Sequence, residues 1–260
     1  MKQYLKALGS YWPTARALTR SPKSAVVLFL ALLSIPVRKR LFGRAPKPVR
    51  ILVAGMPHTF WVRDGSDISV LREMFTDREY AFAEVQTGTP THIADLGAHI
   101  GAATLFLRAH YPGAQVTAYE PDPENFALLQ KNVGQLSRVT CVNAAVAATA
   151  GHVTLYTHAG GSTRGTLSRD PDTVGEIEVP AVTFEEVVAL GVDCVKFDVE
   201  GAEYDLFAAA PESVRTSVPL YLGEFHEALT GKTPEEFTAL FPGYTCTWSN
   251  VALVVLTKNP

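Results

Sequence analysis

From residue 49 onward, short apolar runs alternate with amphipathic stretches along the chain. Continuous apolar runs predict strands, and apolar positions three or four residues apart predict helices. The predicted strands are His92–Leu96, Gln115–Tyr119, Val139–Asn143, Val153–Tyr156, Cys194–Val199 and Leu220–Phe225. The predicted helices include Ala102–His110, Pro123–Val133 and a short one capped by Ser66 and Asp67, and hairpins are predicted for Arg50–Ala54 with Thr59–Val62 and for Tyr244–Trp248 with Val251–Leu256. Repeated strand–helix units predict a doubly wound, mostly parallel α/β sheet with a terminal antiparallel hairpin.

The first 48 residues follow a different pattern. Apolar residues at helical spacing are Leu5, Leu8, Trp12, Ala15 and Leu18. The apolar stretch Ser24–Val37 lies between basic clusters and is shorter than the ~20 residues that a spanning helix needs. Two interpretations are open, an interfacial anchor on an anionic membrane leaflet or a helical arm packed on the body or on a second subunit. We therefore predict a basic, partly amphipathic helical segment, 1–48, and a main domain, 49–260.

Charge divides the chain at the same point. Residues 1–50 contain 11 Lys or Arg and no Asp or Glu, whereas the remaining 210 residues contain 12 basic and 26 acidic residues. An acidic body argues against nucleic acid as the main ligand, because phosphate contacts need a basic face. Cys141, Cys194 and Cys246 lie far apart in apolar runs, which favours buried thiols in a reducing compartment. These features predict a cytoplasmic protein, associated with the inner leaflet if the first segment is an anchor.

The most specific local motif is an apolar strand that breaks into a glycine turn before a helix, Ile93–Gly101. Gly97 and Gly101 permit a tight turn and a close approach of backbone to a ligand. His99 stands where the dinucleotide fingerprint has its second glycine, which argues against a cofactor with a pyrophosphate.

Two further strand ends extend this motif towards a nucleoside site. Glu120 ends the strand that follows the glycine turn and is placed to accept both ribose hydroxyls. Asn143 and Ala144 end the third strand and suit the edge of an adenine ring. The combination predicts a bound adenosine without a pyrophosphate.

Four ordered motifs resemble those of FkbM-type methyltransferases, a family of class I, S-adenosylmethionine-dependent O-methyltransferases. The motifs are Asp95–Gly101, Tyr119–Asn125, Asn143–Val146 and Lys196–Glu203, and the resemblance covers roughly residues 50–226. It implies a seven-stranded class I methyltransferase sheet, Rossmann-like in layout. It also implies that S-adenosylmethionine contacts a set formed by Asp95, Gly97, Ala98, His99, Gly101, Glu120, Pro121, Asn143, Ala144 and Asp198.

Ionisable side chains cluster where two further strands end, Asp198 and Glu200 on one and Glu224 and His226 on the next. Methyl transfer to a hydroxyl requires an aligned donor, removal of the proton and exclusion of water. Asp198 and His226 are the candidate proton acceptors, with His226 favoured because its ordinary pKa lies near neutral pH, and Glu224 would orient it. Glu203 is interpreted as favouring a helix N-terminus.

These patterns predict an O-methyltransferase that acts on a hydroxyl of a small-molecule or lipid-linked acceptor, such as a sugar, a glycolipid or a polyketide-like compound. A nicotinamide-dependent oxidoreductase on the same sheet is an alternative, disfavoured by His99. A non-catalytic adenosyl-ligand binding protein is another, but it would not need Asp198, Glu224 and His226. A divalent cation held by Asp198 with Glu224 or His226 would acidify the hydroxyl, although the sequence shows no complete ligand set.

Overall fold

The computed structural model describes residues 11–19, 21–42, 45–77, 80, 89–158, 165–167, 169, 173–249 and 253–260. The helices are α1 (11–17), α2 (Pro22–Phe42), α3 (Gly65–Arg72, followed by a π-helical turn, Glu73–Asp77), α4 (Ala102–His110), α5 (Pro123–Val133), α6 (Phe184–Val188), α7 (Glu203–Ala209), α8 (Glu212–Arg215), α9 (Glu227–Thr230) and α10 (Pro234–Thr238). The strands are β1 (Lys47–Val53), β2 (Met56–Val62), β3 (His92–Leu96), β4 (Gln115–Tyr119), β5 (Val139–Val142), β6 (Ala145–Ala147), β7 (Gly151–His158), β8 (Gly165–Thr166), β9 (Thr173–Thr183), β10 (Cys194–Phe197), β11 (Leu220–Glu224), β12 (Tyr244–Trp248) and β13 (Leu253–Lys258).

Seven of the described strands form a central sheet in the order β12-β13-β11-β10-β3-β4-β5. Strands β5, β4, β3, β10 and β11 pair in parallel, and β13 runs antiparallel to both β11 and β12. The predicted α/β fold is thereby confirmed, including its terminal antiparallel hairpin. Because the parallel strands end at one edge, the loops after β3, β4, β10 and β11 meet there and form the walls of a single site.

The central sheet separates two apolar layers, since consecutive side chains of a strand point to opposite faces. Ile93 and Cys194 pack in one layer, whereas Val195 and Phe197 pack in the other. Of the three thiols, Cys194 is buried and the other two are half-buried, so the predicted burial holds only for Cys194.

One predicted strand lies outside the central sheet, and one predicted helix cap is wrong. The strand that contains Val153–Tyr156 belongs to a second sheet, β6-β9-β7-β8, where β7 pairs with the long strand β9. The N-cap of α3 is Asp64, whose side chain accepts a hydrogen bond from the backbone N–H of Ser66 at 3.1 Å. Asp67 is unavailable as a cap because it is fully buried and ion-paired with Arg63.

The described part of the N-terminal segment packs against the main domain. Leu18 and Leu28 are buried in the same apolar layer as Ile51 of β1. The backbone N–H of Leu52 donates to the carbonyl of Leu18 at 2.8 Å. Helix α2 contacts β1 and α3, and within the described ranges no helix has the length and apolar character needed to cross a bilayer. The helical positions predicted before residue 11 lie outside the described residues.

Candidate active site

The chain leaves β3 through a turn that lines a cavity at the edge of the sheet. The backbone φ is +74° at Gly97, +50° at His99 and +92° at Gly101, a left-handed region in which glycine is favoured. A Cβ atom on Gly97 would lie 1.8 Å from the carbonyl oxygen of Asp198. Residue 97 therefore has to be glycine for the ends of β3 and β10 to approach this closely.

Asp95 lies behind this turn and is fully buried. Its carboxylate is 3.1 Å from the Lys196 ammonium and accepts a hydrogen bond from the Thr104 hydroxyl at 2.5 Å. Lys196 also donates to the carbonyl of Gly97 at 2.9 Å. Burial alone would lower the pKa of Lys196, but the charges of Asp95 and Asp198 raise it above its ordinary value. This buried ion pair supports the turn through the hydrogen bond from Lys196 to Gly97. Asp95 itself does not line the cavity.

Glu120 follows β4 and places a buried carboxylate in the cavity wall. One oxygen accepts from the backbone N–H of His99 at 2.8 Å, and the other accepts from the N–H of Asp122 at 2.9 Å and from the Asn125 amide at 3.4 Å. Burial raises the pKa of Glu120 to about 7. A carboxylate offers about four acceptor positions, so the oriented group retains capacity for a ligand hydroxyl.

Asn143 supports this wall from outside the cavity lining. Its side-chain amide donates to the carbonyl of Glu120 at 2.8 Å and to that of Pro121 at 3.0 Å. The residues that follow, Ala144 to Val146, give the cavity a small apolar surface. Such a surface suits a flat aromatic base.

The cavity has a volume of about 330 Å³, within the range of small-molecule sites. Eight of the twelve predicted site residues line it: Gly97, Ala98, His99, Glu120, Pro121, Ala144, Asp198 and Glu224. Among the described residues, the other four, Asp95, Gly101, Asn143 and His226, lie behind or beside this lining. The size, the buried acceptor and the apolar wall fit an adenosyl group.

A buried polar network that the sequence did not indicate connects this cavity to the first hairpin. The Arg63 guanidinium donates to Asp67 at 3.1 Å and to the side-chain oxygen of Asn125 at 2.7 Å, and Asn125 contacts Glu120. The imidazole of His99 lies 3.6 Å from Asp67, and burial lowers the pKa of His99 to about 4. His99 is therefore neutral at physiological pH. The network fixes the orientation of Glu120 through residues far away in sequence.

His226 follows β11, and a buried carboxylate sets its orientation. Its Nδ1 lies 2.7 Å from Oε1 of Glu203, which is fully buried and also accepts from the backbone N–H of Gly201. A neutral or protonated imidazole held in this way donates through Nδ1 and directs Nε2 towards the edge of the cavity. Glu203 thus positions His226, a role that its interpretation as a helix-terminus residue missed.

Three carboxylates surround Nε2 of His226. The distances are 3.7 Å to Glu224 and 3.9 Å to both Asp198 and Glu200. Burial alone would lower the pKa of His226, but the hydrogen bond to Glu203 and the charges of Glu203, Asp198 and Glu200 raise it to about 9. The imidazole therefore holds its proton at neutral pH, in contrast to the near-neutral pKa expected from the sequence.

Residues 95–241 match the model of the family described as the methyltransferase FkbM domain. The chain therefore belongs to this methyltransferase family, and the resemblance carried by its four motifs is confirmed. Membership defines a methyltransferase that uses S-adenosylmethionine, in agreement with the fit of the cavity to an adenosyl group.

Several known proteins are similar to this chain. The 31-O-demethyl-FK506 methyltransferase FkbM of Streptomyces tacrolimicus is 28% identical over 200 residues, which cover 64% of this chain and 77% of the relative. Methyltransferase sdnD of Sordaria araneosa is 32% identical over 89 residues, or 33% of this chain and 34% of its own. The structure of an O-methyltransferase from Bacillus cereus in complex with SAH has a TM-score of 0.41 and 11% identity, covering 70% of this chain and 81% of that one. The two sequence relatives are named as methyltransferases, in agreement with the family.

Proposed function

We propose that this protein transfers the methyl group of S-adenosylmethionine to a hydroxyl oxygen of a small-molecule or lipid-linked acceptor, such as a sugar, a glycolipid or a polyketide-like compound. The observation that carries the proposal is the His226–Glu203 pair beside Asp198 and Glu224 at the edge of the cavity. A hydroxyl must lose its proton as it is methylated, and this cluster provides the acceptor. The name of the FkbM relative, which specifies a 31-O-demethyl compound, supports an oxygen acceptor.

In this proposal, each group of residues in the site has a separate role. S-adenosylmethionine supplies a methyl group that its sulfonium already activates. Glu120 holds the ribose, the turn at Gly97 accommodates the methionine part, and the Ala144–Val146 surface packs on the base. Asp198 takes up the hydroxyl proton at neutral pH, where His226 already holds a proton, and His226 becomes an acceptor as the pH rises towards its pKa of about 9. Glu203 keeps the imidazole in the orientation that this requires.

A second, more open cavity of about 850 Å³ is lined in part by His226. Its wall includes Leu229, Tyr244 and Trp248, and the Trp248 ring lies edge-on to the buried ring of Phe225 at 6.1 Å. Aromatic and aliphatic surfaces of this kind pack on the apolar faces of sugar rings and macrocycles. We assign the acceptor to this cavity, with its hydroxyl at His226.

Two measurements test the proposed function. Calorimetric titration is expected to show binding of S-adenosylmethionine and no binding of NAD, and labelled methyl is expected to appear on oxygen in a panel of hydroxylated acceptors. Binding of NAD alone would favour the oxidoreductase alternative. Binding of S-adenosylmethionine without transfer to any acceptor would favour the non-catalytic alternative, and a product methylated on nitrogen or carbon would contradict the oxygen acceptor.

Glu120→Gln is expected to lower the affinity for S-adenosylmethionine by about 10- to 150-fold, the scale of a charge-assisted hydrogen bond of ~1.5–3 kcal/mol. The pKa of about 7 adds a pH dependence. Below that pH the carboxyl becomes neutral and accepts more weakly, so the affinity of the wild-type protein falls with acidification, by up to about tenfold per pH unit. Calorimetry between pH 5.5 and about 8 measures both effects.

The pH dependence provides an internal control, because Glu120→Gln removes the titrating group and its affinity curve is expected to be flat. Glu178→Gln changes an exposed carboxyl on β9 and is expected to behave as wild type. Wild-type affinity in Glu120→Gln would refute the ribose assignment.

We also propose that a divalent cation binds at Asp198, Glu224 and His226, whose ligand atoms all lie within 4.8 Å of one another. Two carboxylates and one imidazole suit Mn²⁺ better than Mg²⁺, which prefers oxygen ligands alone. In a calorimetric titration of chelator-treated protein, Asp198→Asn is expected to lower the affinity for Mn²⁺ at least ~10-fold. Glu212→Gln, an exposed carboxyl on α8, serves as the matched control. Absence of Mn²⁺ binding, together with activity that survives chelation, would exclude the cation.

A further inference from the structure

The side of α2 that faces away from the main domain is apolar. Val26, Val27 and Leu30 are 44%, 63% and 57% exposed, respectively, whereas Leu28 and Leu32 are buried against the body. Leu30 lies three residues after Val27 and four after Val26, spacings that make it a neighbour of both on the helix surface. Helix α2 is therefore apolar on both sides, and only one side is covered by the described chain.

Trp12 of α1 extends this exposed surface. It is 40% exposed, and its ring lies edge-on to Phe29 of α2 with centroids 5.5 Å apart. We call Trp12, Val26, Val27 and Leu30 the apolar ridge. Eight large apolar side chains are exposed in the described ranges, and the other four, Met56, Val174, Ile177 and Leu190, lie on other elements. Half of these side chains are thus gathered on two adjacent helices.

The apolar ridge lies in the most basic part of the chain. Residues 1–50 carry 11 Lys or Arg and no acidic residue, and Arg16 and Lys23 are exposed beside the ridge. Basic side chains attract anionic lipid headgroups, tryptophan favours the membrane interface, and aliphatic side chains insert below it. A second copy of this chain is a poorer occupant, because its own ridge would bring another exposed Arg16 and Lys23 against the same two basic side chains. We infer that the apolar ridge inserts into the anionic leaflet of a lipid bilayer.

The position of the ridge connects a membrane contact to the candidate active site. Helix α2 packs on α3, and α3 contributes Ser66, Ser69 and Val70 to the lining of the adenosyl cavity. A lipid-linked acceptor would then be held close to the site, a consequence that rests on the proposed function. Membrane binding itself does not depend on methyl transfer and is measured without it.

Co-sedimentation of the full-length protein with vesicles tests the inference. The protein is expected to bind vesicles of phosphatidylcholine and phosphatidylglycerol in equal parts and to dissociate from them as the salt concentration rises towards about 0.5 M. It is not expected to bind vesicles of phosphatidylcholine alone. The double variant Val27→Asp and Leu30→Asp is expected to lose at least about tenfold in partition coefficient, because two apolar side chains no longer insert.

The matched control is Val174→Asp with Leu190→Asp, which makes the same change of charge at residues that are 65% and 52% exposed. Wild-type partition is expected for this control. Equal losses in both double variants, or equal binding of wild type to neutral vesicles, would overturn the inference. If the protein fails to bind anionic vesicles, the inference is wrong. If light scattering then shows a dimer that the Val27→Asp and Leu30→Asp double variant dissociates, the ridge binds a second copy of the chain. Affinity for S-adenosylmethionine reports whether each variant is folded. If the wild-type protein does not bind S-adenosylmethionine, that result contradicts the proposed function but leaves the inference about the membrane unaffected.

Discussion

Replacing Asp198 by alanine, or His226 by alanine when turnover is assayed near its pKa of about 9, is expected to reduce turnover by about 100-fold or more, the scale of lost acid–base catalysis. Both side chains lie at the edge of the cavity, with Nε2 of His226 3.9 Å from Asp198. Neither of them contacts Glu120, so affinity for S-adenosylmethionine should remain close to wild type in His226→Ala. Single-turnover formation of S-adenosylhomocysteine at saturating donor and acceptor separates the chemical step from binding.

The control for these variants is His152→Ala, because His152 is exposed on β7 and lines neither of the two cavities. It is expected to retain full turnover. If His226→Ala keeps near-normal turnover between pH 6 and about 9, the histidine has a structural role, and Asp198 is the remaining candidate for the proton acceptor.

The elements that were predicted with correct bounds are those whose signal is local. β3, β4, α4, α5 and β12 have the predicted ends. In α5, for example, Asp122 caps the first turn and Pro123 occupies the first helical position. The strand at Val153–Tyr156 was predicted correctly, but its place in a second sheet was not predictable, because sheet membership depends on the pairing of β7 with β9, which no pattern within either strand reveals.

The part of the candidate site that was predictable consists of the residues at the ends of the parallel strands. Glu120, Asp198 and Glu224 all line the cavity because parallel strands end at one edge of the sheet. The supporting contacts were not predictable, because they join residues from separate elements. Glu203 contacts His226 across 23 positions, and Arg63 contacts Asn125 across 62. The contact with Glu203, together with the charges of Asp198 and Glu200, raises the pKa of His226 above the value that its residue type indicated.

Gly97→Ala is expected to be the most disruptive single-methyl change in the site. The added Cβ would lie 1.8 Å from the carbonyl oxygen of Asp198 and 2.9 Å from its carbon, both backbone atoms that cannot rotate away. The φ of +74° adds a cost of ~1–2 kcal/mol for an L-residue, and overpacking adds ~1–3 kcal/mol. We expect the free energy of unfolding to fall by about 3 kcal/mol or more, which lowers the melting temperature by about 6–12 °C.

Gly113→Ala is the matched control for this prediction. Nothing lies within 4 Å of a Cβ at Gly113, and that glycine is exposed after α4, so its free energy of unfolding should change by less than about 0.5 kcal/mol. Relief of the clash in Gly97→Ala requires Asp198 to move, and Asp198 lines the cavity beside the His226 cluster. Affinity for S-adenosylmethionine is therefore expected to fall together with the melting temperature. A Gly97→Ala protein with wild-type melting and wild-type affinity would show that β3 and β10 do not approach as closely as this turn requires.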